Sequence, residues 1–191
     1  PENPVDFDGV PFDQLSAYLE DLYPHVFGQL ELERVNQYTL VFKWAGSDPE
    51  LAPALFMAHL DVVPVEGAAV AEWTHPPFGG VIEDGFIWGR GALDVKTGAI
   101  FWLEALETLL TEGFVPHRTI YLSLGHDEEI GGPNGAIAVA ELFRERGVRP
   151  AFLFDEGGFI LDGYPLLPDV TTALVVTAEK AFFTVRLTAR G

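Results

Sequence analysis

Apolar residues recur at helical spacing in three stretches of this chain. One follows Pro11 and closes at Pro24, one runs from Ala99 to Gly113, and one follows Asn134, a candidate N-cap. We expect the third helix to turn three apolar residues toward the core: Ile137, Ala140 and Phe143.

Shorter apolar or β-rich runs lie between the helices and predict strands. These runs are 37–44, 52–58, 118–124 and 151–154. The first two are predicted to pair as a hairpin, with 52–58 buried on both faces, and 151–154 reads as another buried strand. Helices alternating with strands predict an α/β fold.

The remaining segments are less regular. Residues 64–80 contain prolines and glycines and predict an irregular loop. Asp84-Gly85 is a strong two-residue turn signal, so a hairpin is predicted over 81–88. Two final strands are predicted at 170–177 and 182–188.

Polar side chains follow three of the predicted strands. His59 and Asp61 come after 52–58, Glu128 and Glu129 after 118–124, and Asp155 after 151–154. In α/β sheets, sites form at the carboxyl ends of strands. We therefore expect these side chains to lie close together, although a charged run is more often a solvated surface.

Asp94 stands in the glycine-rich stretch 89–98, at the predicted start of a helix. A helix N-cap would account for its carboxylate. That interpretation does not account for the flanking glycines or for Lys96, so Asp94 is also a candidate site residue.

Composition excludes several classes of protein. The 191 residues fit one domain, and the net charge of −18, from 11 Lys and Arg against 29 Asp and Glu, opposes binding to nucleic acid or anionic membranes. No apolar run approaches the roughly 20 residues that span a bilayer. A cytoplasmic location is favoured, but the chain starts at Pro1, so a removed signal or anchor would leave no trace.

The candidate residues are one histidine and several carboxylates, and the chain has no cysteine. Nitrogen and oxygen donors of this kind suit catalytic zinc, or cobalt or manganese in its place. Several carboxylates could hold two ions, with one carboxylate bridging them. The absence of a G-x-S-x-G elbow and of a P-loop disfavours serine hydrolases and nucleotide-dependent enzymes.

Four stretches in order resemble the aminoacylase/carboxypeptidase family of di-zinc metallopeptidases, and most closely its branch of carboxypeptidase S and N-fatty-acyl-amino-acid synthase/hydrolase. They are His59-Leu60-Asp61, residues 89–98, residues 126–132 and residues 154–158. The resemblance implies a three-layer sandwich with a mixed, mostly parallel sheet. It also implies that 1–178 is an incomplete catalytic domain and that 179–191 begins an inserted dimerisation domain.

The resemblance assigns metal ligands residue by residue. His59 and Asp155 would hold one zinc ion, Glu129 the other, and Asp94 would bridge the two. Glu156 is the competing choice for the Asp155 position.

The resemblance also assigns the other roles. Asp61 would hydrogen-bond His59, and Glu128 would act as general base. Lys96, Arg90 and His126 are expected to be supporting groups. The peptide bond after Asp94 is expected to be cis.

The implied reaction is hydrolysis of an amide next to a free carboxylate, as in N-acyl amino acids or the C-terminal residue of short peptides. A related di-zinc aminopeptidase and a non-catalytic truncated domain are the alternatives. The family's late histidine ligand is absent here, so we expect a poorly active portion of a longer, homodimeric enzyme.

Overall fold

The computed structural model describes residues 7–158, 160–178, 185, 187 and 188. The chain divides into two compact units, one reaching Glu156 and the other starting at Gly157. All of the candidate site residues belong to the first unit.

Four α-helices lie in the first unit. They are α1 (Val10–Leu22), α2 (Pro24–Gln29), α3 (Lys96–Thr111) and α4 (Ala136–Glu145), with short 3₁₀ turns at Ala69–Glu72 and Glu128–Ile130. Pro24 starts α2 as well as following α1, since proline fits the first turn of a helix. No helix among the described residues combines the length and the apolar character needed to cross a bilayer.

The described strands of the first unit are β1 (Glu31–Val35), β2 (Thr39–Trp44), β3 (Ala54–His59), β4 (Val81–Glu83), β5 (Phe86–Trp88), β6 (Ile120–Gly125) and β7 (Phe152–Phe154). Five of them form one sheet in the order β1-β2-β6-β3-β7. β3 runs parallel to β6 and β7, whereas β2 runs antiparallel to β1 and β6. The sheet is mixed, as expected, with parallel and antiparallel pairs in equal number.

The predicted pairing of 37–44 with 52–58 is wrong. β2 forms its hairpin with β1, through a turn in which Asn36 and Gln37 adopt positive φ, and β6 lies between β2 and β3. The sequence did not reveal β1 because Glu31-Leu32-Glu33-Arg34-Val35 is rich in charge. An edge strand tolerates such side chains since only one neighbour pairs with it.

Helices cover both faces of the sheet, which makes three layers. Phe42 of β2 packs in a cluster with Leu19, Val26 and Leu103 from α1, α2 and α3. Its neighbour Val41 points to the other face and packs in the cluster with α4. Successive side chains of β2 thus contribute to the hydrophobic clusters on opposite faces of the sheet. This agrees with the expected α/β sandwich.

α4 presents a different face from the predicted one. Val139 and Phe143 are buried, whereas Ile137 and Ala140 are exposed. Asn134 does not cap the helix, because Gly135 precedes it and no side chain makes the capping bond.

β7 is also unlike its prediction. Its three residues are each about half exposed, since among the described strands β7 pairs with β3 alone and forms an edge of the sheet. The hairpin of β4 and β5 is confirmed, with Asp84 and Gly85 both at positive φ.

The second unit contains a short antiparallel pair, β8 (Ile160–Leu161) and β9 (Thr172–Ala173). β9 covers only the middle of the predicted strand 170–177. The strand predicted at 182–188 falls mainly outside the described residues, as does most of 179–191.

Candidate metal centre

The parallel pairing of β3 with β6 brings two of the predicted polar clusters together. His59 is the last residue of β3 and lies opposite Gly125, the last residue of β6. Leu60 continues the pairing by donating its N–H to the Gly125 carbonyl at 2.7 Å. The residues that follow both strands therefore leave the same edge of the sheet.

His59 is the centre of this edge, with only 2 % of its side chain exposed. Its Nε2 atom lies 3.1 Å from Asp94 Oδ1, 3.6 Å from Glu156 Oε1 and 3.8 Å from Glu128 Oε2. Three carboxylates from three different segments thus face one imidazole nitrogen.

The other ring nitrogen of His59 is turned toward Asp61. His59 Nδ1 is 3.0 Å from the Asp61 carbonyl oxygen and 3.4 Å from its Oδ1 atom. A hydrogen on Nδ1 can be donated to Asp61, which leaves Nε2 of the neutral ring with its lone pair toward the carboxylates. This is the orientation that a metal-binding histidine needs.

Asp61 also holds the loop that carries the two glutamates. Its Oδ1 accepts the backbone N–H of Glu128 at 3.1 Å, and its Oδ2 accepts that of Glu129 at 3.0 Å. The side chain is almost fully buried. Its negative charge is therefore stabilised by fixed hydrogen-bond donors inside the protein.

Asp94 does not act as a helix cap. α3 begins at Lys96, so Val95 and not Asp94 holds the N-cap position, and no side chain caps the helix with a hydrogen bond. The Asp94 carboxylate instead reaches His59, and the Asp94–Val95 peptide bond is cis, as expected.

The end of β7 brings Asp155 and Glu156 to the same region. Glu156 belongs to the group with His59 and Asp94, whereas Asp155 lines the adjoining cavity of about 180 Å³ together with His59 and Glu128. Asp155 Oδ1 accepts the backbone N–H of Glu156 at 2.9 Å. The family resemblance favoured Asp155 over Glu156 as the ligand, whereas in the structure Glu156 is the one that approaches the His59 ring.

Glu129 lies apart from that group. Its Oε1 accepts the backbone N–H of Val63 at 3.1 Å. Lys96 supports the same segment by donating from Nζ to the Leu60 carbonyl at 2.8 Å. Residues 60–63 are thereby held from both sides.

The close carboxylates shift the ionisation of the cluster. Burial alone would lower the pKa of His59, but the Asp61 side chain and the charges of Glu156 and Glu128 outweigh it and raise that pKa to about 9. Burial raises the pKa of Glu156 to about 7 against the opposing charge of His59. Burial also raises the pKa of Glu128. Such shifts are typical of functional sites.

Asp127 is a supporting residue that sequence reasoning missed. It is buried, its Oδ2 accepts the backbone N–H of Asn134 at 2.7 Å, and its carbonyl accepts those of Ile130 and Gly132. These bonds fix the loop after β6. The sequence does not distinguish Asp127 from the neighbouring acidic residues, because a run of charged residues does not indicate which side chain is buried.

His126, expected as a supporting group, is buried beside Asp127. Its Nδ1 lies 2.6 Å from the Thr39 hydroxyl, and its ring packs against Phe12 and Tyr38. It therefore ties the end of β6 to β2 and α1.

The donor set fits a divalent cation. One ligand atom each from His59, Asp94 and Glu156 can be chosen so that all three lie within 4.8 Å of one another. Imidazole nitrogen and carboxylate oxygen are donors that zinc accepts in catalytic sites.

Comparison with known proteins identifies the family of this chain. The model of peptidase family M20/M25/M40 matches residues 55–177. The N-fatty-acyl-amino acid synthase/hydrolase of Bos taurus is 40 % identical over 180 residues, covering 93 % of this chain and 35 % of that protein. Carboxypeptidase S of Saccharomyces cerevisiae is 42 % identical over 177 residues, covering 90 % of this chain and 30 % of that protein. The chain thus spans about a third of the length of these relatives.

Solved structures show the same fold. A metallo-carboxypeptidase from Sulfolobus solfataricus matches with a TM-score of 0.61 at 24 % identity, covering 82 % of this chain and 34 % of that one. Human carnosine dipeptidase 1 matches with a TM-score of 0.58 at 20 % identity, covering 79 % of this chain and 34 % of that one.

The family is one of metal-dependent hydrolases, and the two relatives lie in the branch that the four motifs indicated. The family match covers well over half of the chain and includes His59, Asp94, Glu128 and Asp155. This chain therefore belongs to peptidase family M20/M25/M40.

Proposed function

We propose that this chain is the N-terminal part of a zinc-dependent amidohydrolase that cleaves N-acyl amino acids or the C-terminal residue of short peptides. The observation that carries the proposal is the approach of Asp94, Glu156 and Glu128 to the one nitrogen of His59 that Asp61 leaves free. The names of the two relatives above support the substrate class.

The proposed ligands are His59 and Asp155 for one ion, Glu129 for a second, and Asp94 as the bridge. Asp155 is preferred to Glu156 because the family motif carries the ligand at this position. Cobalt or manganese would suit the same donors.

When bound, zinc would supply a Lewis acid that lowers the pKa of water toward neutrality and polarises the amide carbonyl. Glu128 would accept a proton from the attacking water and return it to the departing amine nitrogen. Burial raises the pKa of Glu128 toward the working range, as a general base requires. Asp61 would keep the Glu128 backbone and the His59 ring in place throughout.

The wider organisation is also a proposal. Residues 1–178 would form the first part of a catalytic domain, and 179–191 the first strand of an inserted domain that dimerises. A further histidine ligand would then come from sequence outside this chain. A cytoplasmic location remains a prediction from the sequence.

Metal content and turnover test the proposal together. The purified protein should bind zinc and melt at a higher temperature with zinc than with chelator, because ligand binding to the folded state stabilises it. The 191 residues alone should turn over N-acetyl amino acids poorly, and Glu128→Gln should remove what activity remains. Protein that neither contains zinc nor gains stability from it would instead be a non-catalytic domain.

Substrate choice separates the proposal from the aminopeptidase alternative. Matched pairs of substrates with blocked and free amino groups should favour the blocked member in the longer enzyme. A preference for the free amine would reject the amidohydrolase assignment while leaving the metal site intact.

A further inference from the structure

A groove with an apolar wall is formed by residue 62 and by residues from 77 to 101. It has a volume of about 540 Å³, within the usual size of small-molecule sites, and we call it the Phe78 groove. Its lining includes Val62, Phe78, Arg90, Lys96, Ile100 and Phe101.

The Phe78 groove is open to solvent although its lining is largely apolar. Phe78 is 68 % exposed and Phe101 is 69 % exposed. A second cavity of about 550 Å³ shares Val62, Phe78 and Lys96 with it and continues the apolar lining to Phe12 and Leu15. Adjacent exposed apolar side chains of this extent mark a binding surface more often than isolated ones do.

Two cations interrupt this apolar lining. Arg90 Nε is shielded from solvent and has no hydrogen-bond partner among the described residues. The described contacts of its guanidinium include the Trp73 ring, 5.4 Å away, but no carboxylate. An unmade hydrogen bond at a shielded donor is unfavourable, so an acceptor from outside the chain would stabilise Arg90.

The second cation, Lys96, also lines this groove. Lys96 Nζ donates to the Leu60 carbonyl, which leaves two of its three N–H groups for other acceptors. Gly91, at φ +85°, lets the backbone pass close to this side chain, since an added Cβ would lie 3.2 Å from Lys96 Nζ. The geometry therefore keeps Lys96 beside residues 89–91.

Neither of the two cations is neutralised by a carboxylate in direct contact. Among the described residues, Arg90 and Lys96 form no ion pair, although acidic residues outnumber Lys and Arg by 29 to 11 in this chain. An apolar groove with two such cations complements a ligand that has an apolar tail and an anionic head. Arginine in particular matches the planar, two-oxygen geometry of a carboxylate.

We propose that the Phe78 groove binds an amphipathic carboxylate, with its tail along Phe78, Ile100 and Phe101 and its head on Arg90. The described residues that line this groove include none of the proposed metal ligands: Val62 lines the groove, whereas the next residue, Val63, donates its N–H to Glu129. Only the identity of the natural ligand, an N-acyl amino acid or a free fatty acid, rests on the proposed function.

Calorimetric titration of the chelator-treated 191-residue protein tests the site without any need for turnover. The probes are dodecanoate, N-dodecanoylglycine and dodecyltrimethylammonium, each below its micelle-forming concentration. We expect both carboxylates to bind at least tenfold more tightly than the cation. Octanoate should bind more weakly than dodecanoate, by up to about tenfold for every two methylenes removed. Tighter binding of N-dodecanoylglycine would identify the acyl amino acid as the ligand, and tighter binding of dodecanoate would identify the free acid.

Three variants locate the site. Arg90→Gln should weaken the binding of dodecanoate at least tenfold and remove the preference for an anionic head group. Arg118→Gln is the matched control, since Arg118 lies elsewhere, over the Phe152 ring, and should leave binding unchanged. Phe101→Ala, at an exposed position on α3, should fold normally and weaken the longer probes more than the shorter ones.

Several outcomes would overturn the proposal. They are equal binding of anionic and cationic probes, equal effects of Arg90→Gln and Arg118→Gln, and no binding below micelle concentrations. Sedimentation that shows dimers, together with failure of dodecanoate to bind, would assign the groove to a second copy of the chain. Because chelator-treated protein is used, none of these results depends on whether the metal centre is hydrolytic.

Discussion

The Asp61 carboxylate accepts the backbone N–H of Glu128 at 3.1 Å, across the ends of two parallel strands. Its other oxygen accepts the N–H of Glu129 at 3.0 Å, while the Asp61 carbonyl lies 3.0 Å from His59 Nδ1. One residue thus fixes the orientation of a proposed ligand and the position of the proposed base.

Asp61→Asn should weaken both functions. An amide keeps the shape of the side chain but replaces one acceptor oxygen with a donor, which would face a backbone N–H. We expect zinc affinity to fall about 10–100-fold, as for other residues that orient metal-binding histidines. The free energy of unfolding should fall by about 1–3 kcal/mol.

Competition with a zinc indicator and urea unfolding measure these two quantities. Asp13→Asn, at an exposed position in the first turn of α1, is the matched control for loss of one charge. Equal affinities for the Asp61 and Asp13 variants would mean that Asp61 does not support the metal site.

Asp155→Asn and Glu156→Gln decide which carboxylate at the end of β7 binds metal. We expect Asp155→Asn to weaken zinc binding at least tenfold and Glu156→Gln to weaken it less, because Asp155 holds the proposed ligand position. Zinc titration of both variants provides the comparison. The reverse order would assign the ligand to Glu156, as its 3.6 Å approach to His59 allows.

The metal-free protein should lose stability as the pH rises from 6.5 through about 9. The pKa of His59 is raised in the folded state from 6.5 to about 9, so its protonated form stabilises the fold. That contribution is complete below pH 6.5 and is lost as the pH passes the folded value, with a size on the order of 3 kcal/mol.

Thermal melts in chelator at several pH values measure this loss, and His59→Gln should flatten the profile. His117→Gln, at an exposed position, should leave the profile as it is. Zinc affinity should change in the opposite direction and increase over the same range, since metal competes with the proton on His59. A flat profile for the unmodified protein would contradict the charged state of His59.

Glu107→Gln should destabilise the fold at a site remote from the metal centre. Glu107, on α3, accepts the backbone N–H groups of His25 and Val26 at the start of α2, at 3.1 and 2.9 Å. Burial acts to raise its pKa, but these bonds and His25 outweigh it and lower the pKa. We expect a loss of about 1–3 kcal/mol at neutral pH.

The acid dependence provides a second measurement of the same contact. Because the folded pKa of Glu107 lies below 4.5, its contribution is present above that pH and disappears as the pH falls further. Urea unfolding at pH 7 and at pH 3 should show the Glu107→Gln defect shrinking in acid. Glu141→Gln, exposed on α4, is the control and should show no defect at either pH.

The sequence predicted the location of the site better than the pairing of the strands. His59 and Glu128 were expected at one edge because parallel strands end together, and the β3–β6 register bears this out. The predicted β2–β3 hairpin is wrong. It was suggested by the closeness of the two strands along the chain, but in the sheet β6, which follows α3, lies between them. Local patterns do not encode which distant strand will pair.

Side-chain direction was the other limit. Neighbouring carboxylates such as Asp155 and Glu156 look equivalent in sequence, and their roles depend on which way the backbone turns after β7. Asp127 illustrates the same limit, since a buried carboxylate within an acidic run has no distinguishing pattern. Depth and direction come from packing between elements, which single-chain patterns describe only in part.

The register of β3 against β6 also has a consequence for folding kinetics. Ala54 pairs with Ile120, so closing this ladder requires a long intervening loop to come together, at an entropic cost that local helices do not bear. His59 and Glu128 cannot approach before that closure. Zinc should therefore slow unfolding more than it speeds folding, because the ion can recognise only a chain whose most distant contacts have already formed.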